Sequence, residues 1–470
     1  VLGEMKKIVV IGGGITGITS AYYLQKEARK RGLPLSISLI EAAPRLGGKI
    51  QTVQRDGFFI ERGPDSFFEN NESAIRLTEE LGLADQLLPS NVETAYVLAN
   101  DRLHPMPAGL VRGIPTQITS FMKTSLVSIP GKVRAGTDLL LPKPKPGQDQ
   151  SVGRFFKRHF GDEVVENLIE PLVSGMYGGD INKLSLVSTF PRAYEAEQKH
   201  RSLMLGMRKI PYEQGASMTV QGGLEGIVEE AAASLTPGSV LKGTRVEKVE
   251  RREDGIFTLV LNSGKHIVAD SIISTVPHFM LPAMMPQYKF FHDLKEIPSA
   301  SVASISLAFS EDVIPPELQG TGFVVARNSD FTMTMCTWVH RKWPDAVPKG
   351  KALLRCYIGR AGDEAVVDLP DSELERIVLT DLKRIIPLNI APSFSVVTRW
   401  KKAIPQYIIG HQQRLEEMEK HLQKELPGFF VAGSSFKGLS LPDCISQGEE
   451  AAEKAWLFCG YDRFRASKEK

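Results

Sequence analysis

Three glycines, Gly12, Gly14 and Gly17, follow a short apolar strand in KKIVVIGGGITG (residues 6–17), and this spacing could hold a dinucleotide. Gly12 would allow the tight turn, Gly14 would let the backbone approach a pyrophosphate, and Gly17 would let the next helix pack on the strand. The pyrophosphate would meet the positive end of that helix. A helical pattern over 15–30 leads into a second strand, LSISLIEA from Leu35, which ends near Glu41. A carboxylate there can accept both hydrogen bonds of a ribose diol. No arginine stands beside it to take a 2′-phosphate, which argues against NADP.

The residues after Glu41 choose between NAD and FAD. In EAAPRLGGKIQT, Arg45, Gly47, Gly48 and Lys49 bring a second glycine pair and two cations to the pyrophosphate side. This is similar to the extended motif of FAD proteins of the glutathione-reductase-like class, so FAD is the expected cofactor. Near the other end, Pro442 opens a helical stretch, LPDCISQGEEAAEKAWLF. The amino end of that helix would favour the negative charge of a reduced flavin; an ordinary strand–helix packing unit is the alternative.

These residues need elements to position them, and 470 residues with 42% hydrophobic content suffice for two or three domains. DGFFIERGPDSFF (56–68) alternates and turns at Gly63 and Pro64, returning to the cofactor, with a helix expected over 71–81. Residues 91–217 are rich in proline and short helical stretches such as 153–170, and read as a mostly helical insertion domain. Further on, a helix over 224–235 precedes strands over 240–251, 256–261 and 266–274. SVASISLAF, TGFVVA, MTMCTWV and ALLRCYIG then suggest an antiparallel sheet backed by a helix over 372–386. GFFVAGSSF (428–436) reads as a buried strand, and LPKPKPGQDQ (141–150) as a stiff surface loop. The expected fold class is α/β: a discontinuous Rossmann-like FAD-binding domain (1–90, 218–278 and 396–470), the helical insertion (91–217) and an antiparallel-sheet substrate domain (279–395).

A formal net charge of +2 and no recognisable motif argue against nucleic acid. Cys336, Cys356, Cys444 and Cys459 form no metal spacing and read as reduced thiols of a cytoplasmic protein. The chain runs at once into its first strand, so no cleavable leader is expected, and no apolar run approaches the roughly 20 residues of a spanning helix.

Residues 1–17, 41–66, 218–276 and 396–459 together resemble the flavin amine oxidase superfamily, and more narrowly the protoporphyrinogen/coproporphyrinogen oxidases of Gram-positive type. ERGPDSF (61–67), LHPMP (103–107), PLVSGMYGGD (171–180), KLS (183–185) and GLSLPDCISQG (438–448) carry the narrower likeness. It implies FAD contacts at Gly12, Gly13, Gly14, Ile15, Thr16 and Gly17, then at Glu41, Ala42 and Lys49. Further contacts are implied at Gly63, Pro64, Asp65 and Ser66, at Val246 and Trp400, and at Gly438, Leu439 and Ser440.

The implied reaction belongs to haem biosynthesis. It removes six electrons from a porphyrinogen in flavin-mediated steps, with dioxygen as acceptor and hydrogen peroxide as product. A hydride would pass from a meso carbon to flavin N5, and the pyrrole proton to solvent or backbone, so no side-chain base is required. His104, His278 and His340 are accordingly not assigned to catalysis. Gly175 is the pocket candidate, either offering its backbone to pyrrole N–H groups or ending a helix. Between residues 101 and 146 seven lysines and arginines face two aspartates, interleaved with Leu110, Ile114, Ile118, Phe121, Met122 and Leu126. Propionate steering, peripheral membrane contact and a solvated helical face all fit that pattern. A soluble chain with a basic insertion suits coproporphyrinogen, with four propionates, over protoporphyrinogen, with two. The competing readings are an FAD amine oxidase or desaturase on the same scaffold, and a non-catalytic porphyrin carrier.

Overall fold

The computed structural model describes residues 5–90, 92, 94–142, 148–209 and 215–464. The centre of the loop expected over 141–150, and the first residues of the expected leaderless start, fall outside them. A five-stranded parallel sheet draws strands from the amino-terminal, central and carboxy-terminal parts of the chain, in the order Val240–Leu241, Leu35–Ile40, Lys6–Ile11, Ser271–Ser274, Phe429–Val431. Its first strand is apolar throughout its buried part because both faces are covered. Ile8 and Val10 enter one core, beneath helices Ile15–Arg31, Glu225–Ala233 and Leu441–Phe458. Val9 and Ile11 enter another, beneath the meander Val246–Arg251, Phe257–Leu261, His266–Ala269.

The expected strand over 240–251 is thus two strands. Val240–Leu241 extends the parallel sheet, and Val246–Arg251 starts the meander.

A second, seven-stranded sheet runs in the order Phe394–Pro405, Ser299–Phe309, Ala352–Ile358, Met333–Trp338, Gly322–Val325, Tyr96–Ala99, Arg102–Pro105. All its pairings are antiparallel except that of Gly322–Val325 with Tyr96–Ala99. Boundaries at 91–217 and 396–470 would assign its outer strands to other domains, yet both outer edges hydrogen-bond into this sheet. Alternation gives it two unlike faces. Ile305, Leu307, Leu354, Cys356 and Trp338 bury against helix Asp371–Ile385. Ser304, Ser306, Arg355, Tyr357 and Met335 occupy the other face, turned toward the helical insertion and the 61–66 segment.

The insertion is helical around Phe155, Phe156, Phe160 and Leu168. The stretch 153–170 is broken at Gly161, whose φ of +82° ends helix Val152–Phe160. Helix Glu170–Tyr177 then meets the sheet's polar face. Among the described residues no helix is long and apolar enough to cross a membrane.

Candidate functional site

The turn after the first strand is built as its spacing requires. Gly12 has φ +106°, and a Cβ there would lie 2.5 Å from Thr275 Oγ1. A Cβ on Gly17 would lie 1.9 Å from the Gly12 carbonyl oxygen, so helix Ile15–Arg31 can approach the strand only with glycine there. Gly14 differs: its φ is −73°, and no protein atom lies within 4 Å of where its Cβ would be. That helix starts with no side-chain cap and no acidic residue in its first turn. An open space before an uncapped helix amino end is what a pyrophosphate needs.

Glu41 Oε2 accepts from Gly13 N at 2.6 Å and Oε1 from Ala43 N at 2.6 Å. A carboxylate has lone pairs for further donors such as ribose hydroxyls. Ala42 is exposed beside it. Gly47 N donates to Gly13 O at 2.8 Å and docks the second glycine pair on the first. Arg45 is not a free cation: its guanidinium donates to the carbonyls of Leu46, Ile50 and Gly48 and shapes this loop. Val246 is buried in the core beneath Ile40, close to Glu41 through the Thr244 N bond to the Glu41 carbonyl.

Lys49 is accessible yet set deep. Its ammonium donates to the Ala403 carbonyl and to Ser434 Oγ, and burial lowers its pKa. Gly48 packs against Gly14 and Gly63 against the Lys49 carbonyl, so the space these residues border is the candidate cofactor chamber. The 61–66 segment forms a neighbouring wall. A Cβ on Gly63 would fall 1.7 Å from Lys49 O. Trp400 Nε1 donates to Arg62 O at 2.7 Å, Arg62 Nε to Thr398 Oγ1 at 2.8 Å, and Arg355 to the Gly63 carbonyl. Asp65, after Pro64, accepts from Lys342 Nζ at 3.0 Å and from Ser66 Oγ at 2.9 Å. Burial pushes the Asp65 carboxyl up, but Lys342 and Arg355 outweigh it and hold the pKa well below the usual range.

The carboxy-terminal helix adds a third wall. Gly438 has φ +91° and precedes Leu439 and Ser440; Ser440 Oγ accepts from Asp443 N at 3.2 Å, and Asp443 Oδ2 accepts from Ser440 N at 3.1 Å. This capping box neutralises part of the helix end expected to face a flavin. Gln447 Oε1 accepts from Gly433 N at 3.1 Å and Lys437 N at 3.3 Å, clamping the loop in between.

Gly175 lies where helix Glu170–Tyr177 crosses the sheet, with a Cβ position 3.6 Å from Val324 and 3.8 Å from Met335. Gly178, with φ +58°, is the residue that ends the helix. The three unassigned histidines all have local partners: His104 with Ser125, His278 with Ser435 and Ile297, His340 with Asp312. Sequence reasoning missed Arg355, Tyr357 and His411, whose ring stacks on that of Tyr407 at 4.2 Å. Tyr407 donates its hydroxyl to the carbonyl of Ser434 at 2.6 Å, the residue whose Oγ accepts from Lys49.

The glycine turn, the Glu41 carboxylate and the Lys49 chamber fit a dinucleotide with a ring system at its far end. The chain belongs to the flavin containing amine oxidoreductase family, whose model matches residues 15–455. It is an oxidoreductase with the glutathione-reductase-like FAD-binding architecture. It is 49% identical over 463 residues to the coproporphyrinogen III oxidase of Bacillus subtilis (strain 168), across 96% of this chain and 98% of that one. The Staphylococcus aureus (strain NCTC 8325 / PS 47) coproporphyrinogen III oxidase is 38% identical over 468 residues, with the same coverage of 96% and 98%. Among solved structures, a putative protoporphyrinogen oxidase from Exiguobacterium sp. 255-15 superposes with a TM-score of 0.88 at 33% identity, over 97% of this chain and 100% of that one. Putrescine oxidase, at 15% identity and TM-score 0.67 over 96% and 98%, shares the fold.

Proposed function

We propose that the chain binds FAD and oxidises coproporphyrinogen III to coproporphyrin III with dioxygen, releasing hydrogen peroxide. The observation that carries this reading is likeness to the Bacillus subtilis enzyme over nearly the whole of both chains, including the insertion and the seven-stranded sheet. FAD, when bound, supplies a two-electron acceptor that dioxygen can reoxidise.

The chain's own residues bind and orient. The amino end of helix Ile15–Arg31 and Gly14 would hold the pyrophosphate, Glu41 the ribose diol, and the 61–66 and 438–440 segments the ring system. Lys49, anchored by the Ala403 carbonyl and Ser434, would keep its remaining donor toward the chamber. No side-chain base touches a reacting carbon in this reading. The macrocycle would lie between helix Glu170–Tyr177 and the polar sheet face that carries Tyr357 and Met335.

Part of the basic excess of the insertion is tied up within its own fold. Arg134 donates to the carbonyls of Lys157 and Arg158, closing helix Val152–Phe160, and Lys132 to that of Met122. Ile129, Val133 and Leu140 stand exposed nearby. This surface supports peripheral membrane contact over propionate steering, and co-flotation with anionic vesicles tests it.

The purified protein mixed in air with coproporphyrinogen III should yield porphyrin fluorescence and about three peroxides per porphyrin, two electrons each. Protoporphyrinogen IX should turn over more slowly, and a simple amine should give no peroxide. Peroxide from the amine alone would move the chain to the amine oxidases, and porphyrin binding without turnover would make it a carrier.

A further inference from the structure

Behind the 61–66 segment lies a largely enclosed cavity of about 60 Å³, lined by Glu61, Asp65, Ser306, Trp343, Leu353 and Arg355 among others. At roughly 10–15 Å³ per water it has room for a handful of waters. Lys49, Ser434 and Trp400 are not among the residues that line it.

Arg355 gives the cavity its character. The residue is 3% exposed and donates through Nη2 to the Gly63 carbonyl, while Nε and Nη1 have no protein partner. A buried guanidinium with two open N–H groups is costly unless water or an anion takes them. Glu61 is fixed nearby, Oε1 accepting from Leu224 N at 2.6 Å and Oε2 from Thr52 Oγ1 at 3.0 Å. Among the described residues the two make no direct ion pair, although each lies within the other's field. Cavity water is the natural bridge.

The other charged groups around Glu61 come from each element packed on it. Asp65 and Arg62 belong to its own segment, Lys342 acts through Asp65, Asp345 lines the cavity, and Glu225 accepts from Thr52 N. Asp65 is held ionised by Lys342 and Arg355. Burial raises the Glu61 carboxyl to about 7, so Glu61 is the group left to change charge near neutrality.

We infer that this cavity is a hydrated proton relay: Glu61 exchanges protons with cavity water, and Arg355 ties that water to the segment proposed to meet the flavin. The step moves no electrons. A hydronium ion loses a proton to a Glu61 oxygen, giving water and the carboxylic acid, and the reverse returns the proton toward solvent. Its purpose rests on the proposed oxidase reading, in which pyrrole N–H protons are released and dioxygen reduction consumes protons. The titrating carboxyl itself does not rest on that reading. Glu61 is a positioning residue for proton traffic and touches no substrate.

The test is pH-difference infrared spectroscopy on the holoprotein, followed by the pH profile of turnover. The wild type should show a protonated carboxyl band that vanishes with a midpoint near 7. It should be missing in Glu61→Gln and retained in the surface variant Glu230→Gln. Arg355→Gln should move the midpoint upward, since the carboxylate loses its cation; this variant reads the relay if Glu61→Gln does not fold. Turnover by the wild type should rise through the same midpoint, and Glu61→Gln should be flat and slower by about tenfold or more. A band that survives Glu61→Gln, or no titrating band in the wild type, overturns the inference. A titrating band in a protein that oxidises no porphyrinogen would overturn the oxidase reading and leave the buried titrating site established.

Discussion

A side-chain carbon on Gly63 would lie 1.7 Å from the Lys49 carbonyl oxygen, so two segments that form adjoining walls of the chamber touch through bare backbone. Neither wall can retreat freely. Arg355 holds the Gly63 carbonyl, and Lys49 is anchored to Ala403. Gly63→Ala must therefore displace one wall, at roughly 1–3 kcal/mol of stability. The expected result is a lower denaturation midpoint and a purified protein with a smaller ratio of flavin to protein absorbance.

The three glycines of the first turn should separate by substitution. Gly17→Ala drives a methyl into the Gly12 carbonyl and should cost more than about 4 kcal/mol, or prevent folding. Gly14→Ala meets no protein atom within 4 Å and keeps an ordinary φ, so the apoprotein should melt within about 1 kcal/mol of wild type. Gly14→Asp should fold equally well but lose FAD, because its carboxylate would stand like charge to like charge against the pyrophosphate. Thermal melts with flavin absorbance distinguish the three, and a yellow, stoichiometric Gly14→Asp would refute the nucleotide assignment.

Local chemistry was legible in the sequence where one segment supplies both the signal and the structure. Gly12, Gly17 and Glu41 sit as their spacing requires because strand, turn, helix and strand are contiguous. Pairing across the chain was not legible. Residues 96–105 and 396–405 read as parts of other domains, and only three-dimensional strand order places both in the seven-stranded sheet. Asp65 and Lys342 are 277 positions apart, and no periodicity encodes their contact. Arg355 did leave a signal. In ALLRCYIG a charge stands out of phase with Leu354, Cys356 and Ile358, which marks the face turned away from the apolar core.

The Asp65–Lys342 pair makes the 61–66 segment acid-sensitive. Its folded pKa lies below the unfolded value, so its stabilisation is present above about pH 4 and is lost as pH falls through the folded value. Lys342→Met leaves Arg355 as the remaining cation and should bring the acid-side loss to higher pH. Both side chains are mostly but not wholly buried, so the cost at neutral pH should fall between about 0.5 kcal/mol for exposed pairs and roughly 3–5 kcal/mol for buried ones. Urea melts from neutral to acid pH check this, and an unchanged pH dependence in Lys342→Met would remove the pair from the account.

His411 carries the opposite kind of proton linkage. It stacks on Tyr407, its Nε2–H donates to the Phe436 carbonyl at 2.9 Å, and burial lowers its pKa to about 4. The unfolded chain therefore binds a proton between about pH 6.5 and 4 that the native state refuses, and stability must fall as pH drops through that window. At 1.36 kcal/mol per unit the loss is about 3 kcal/mol. His411→Gln, which keeps a donor toward Phe436 O without a titrating ring, should flatten that window while lowering stability at pH 7. Because Tyr407 braces the Ser434 carbonyl and Ser434 contacts Lys49, wild-type protein should also release flavin as the ring is forced to protonate. Flavin fluorescence followed along the same acid titration reads this directly: release that tracks the loss of stability in the wild type, and a shallower curve in His411→Gln, are the expected outcomes, whereas equal slopes in the two proteins would place the acid sensitivity elsewhere.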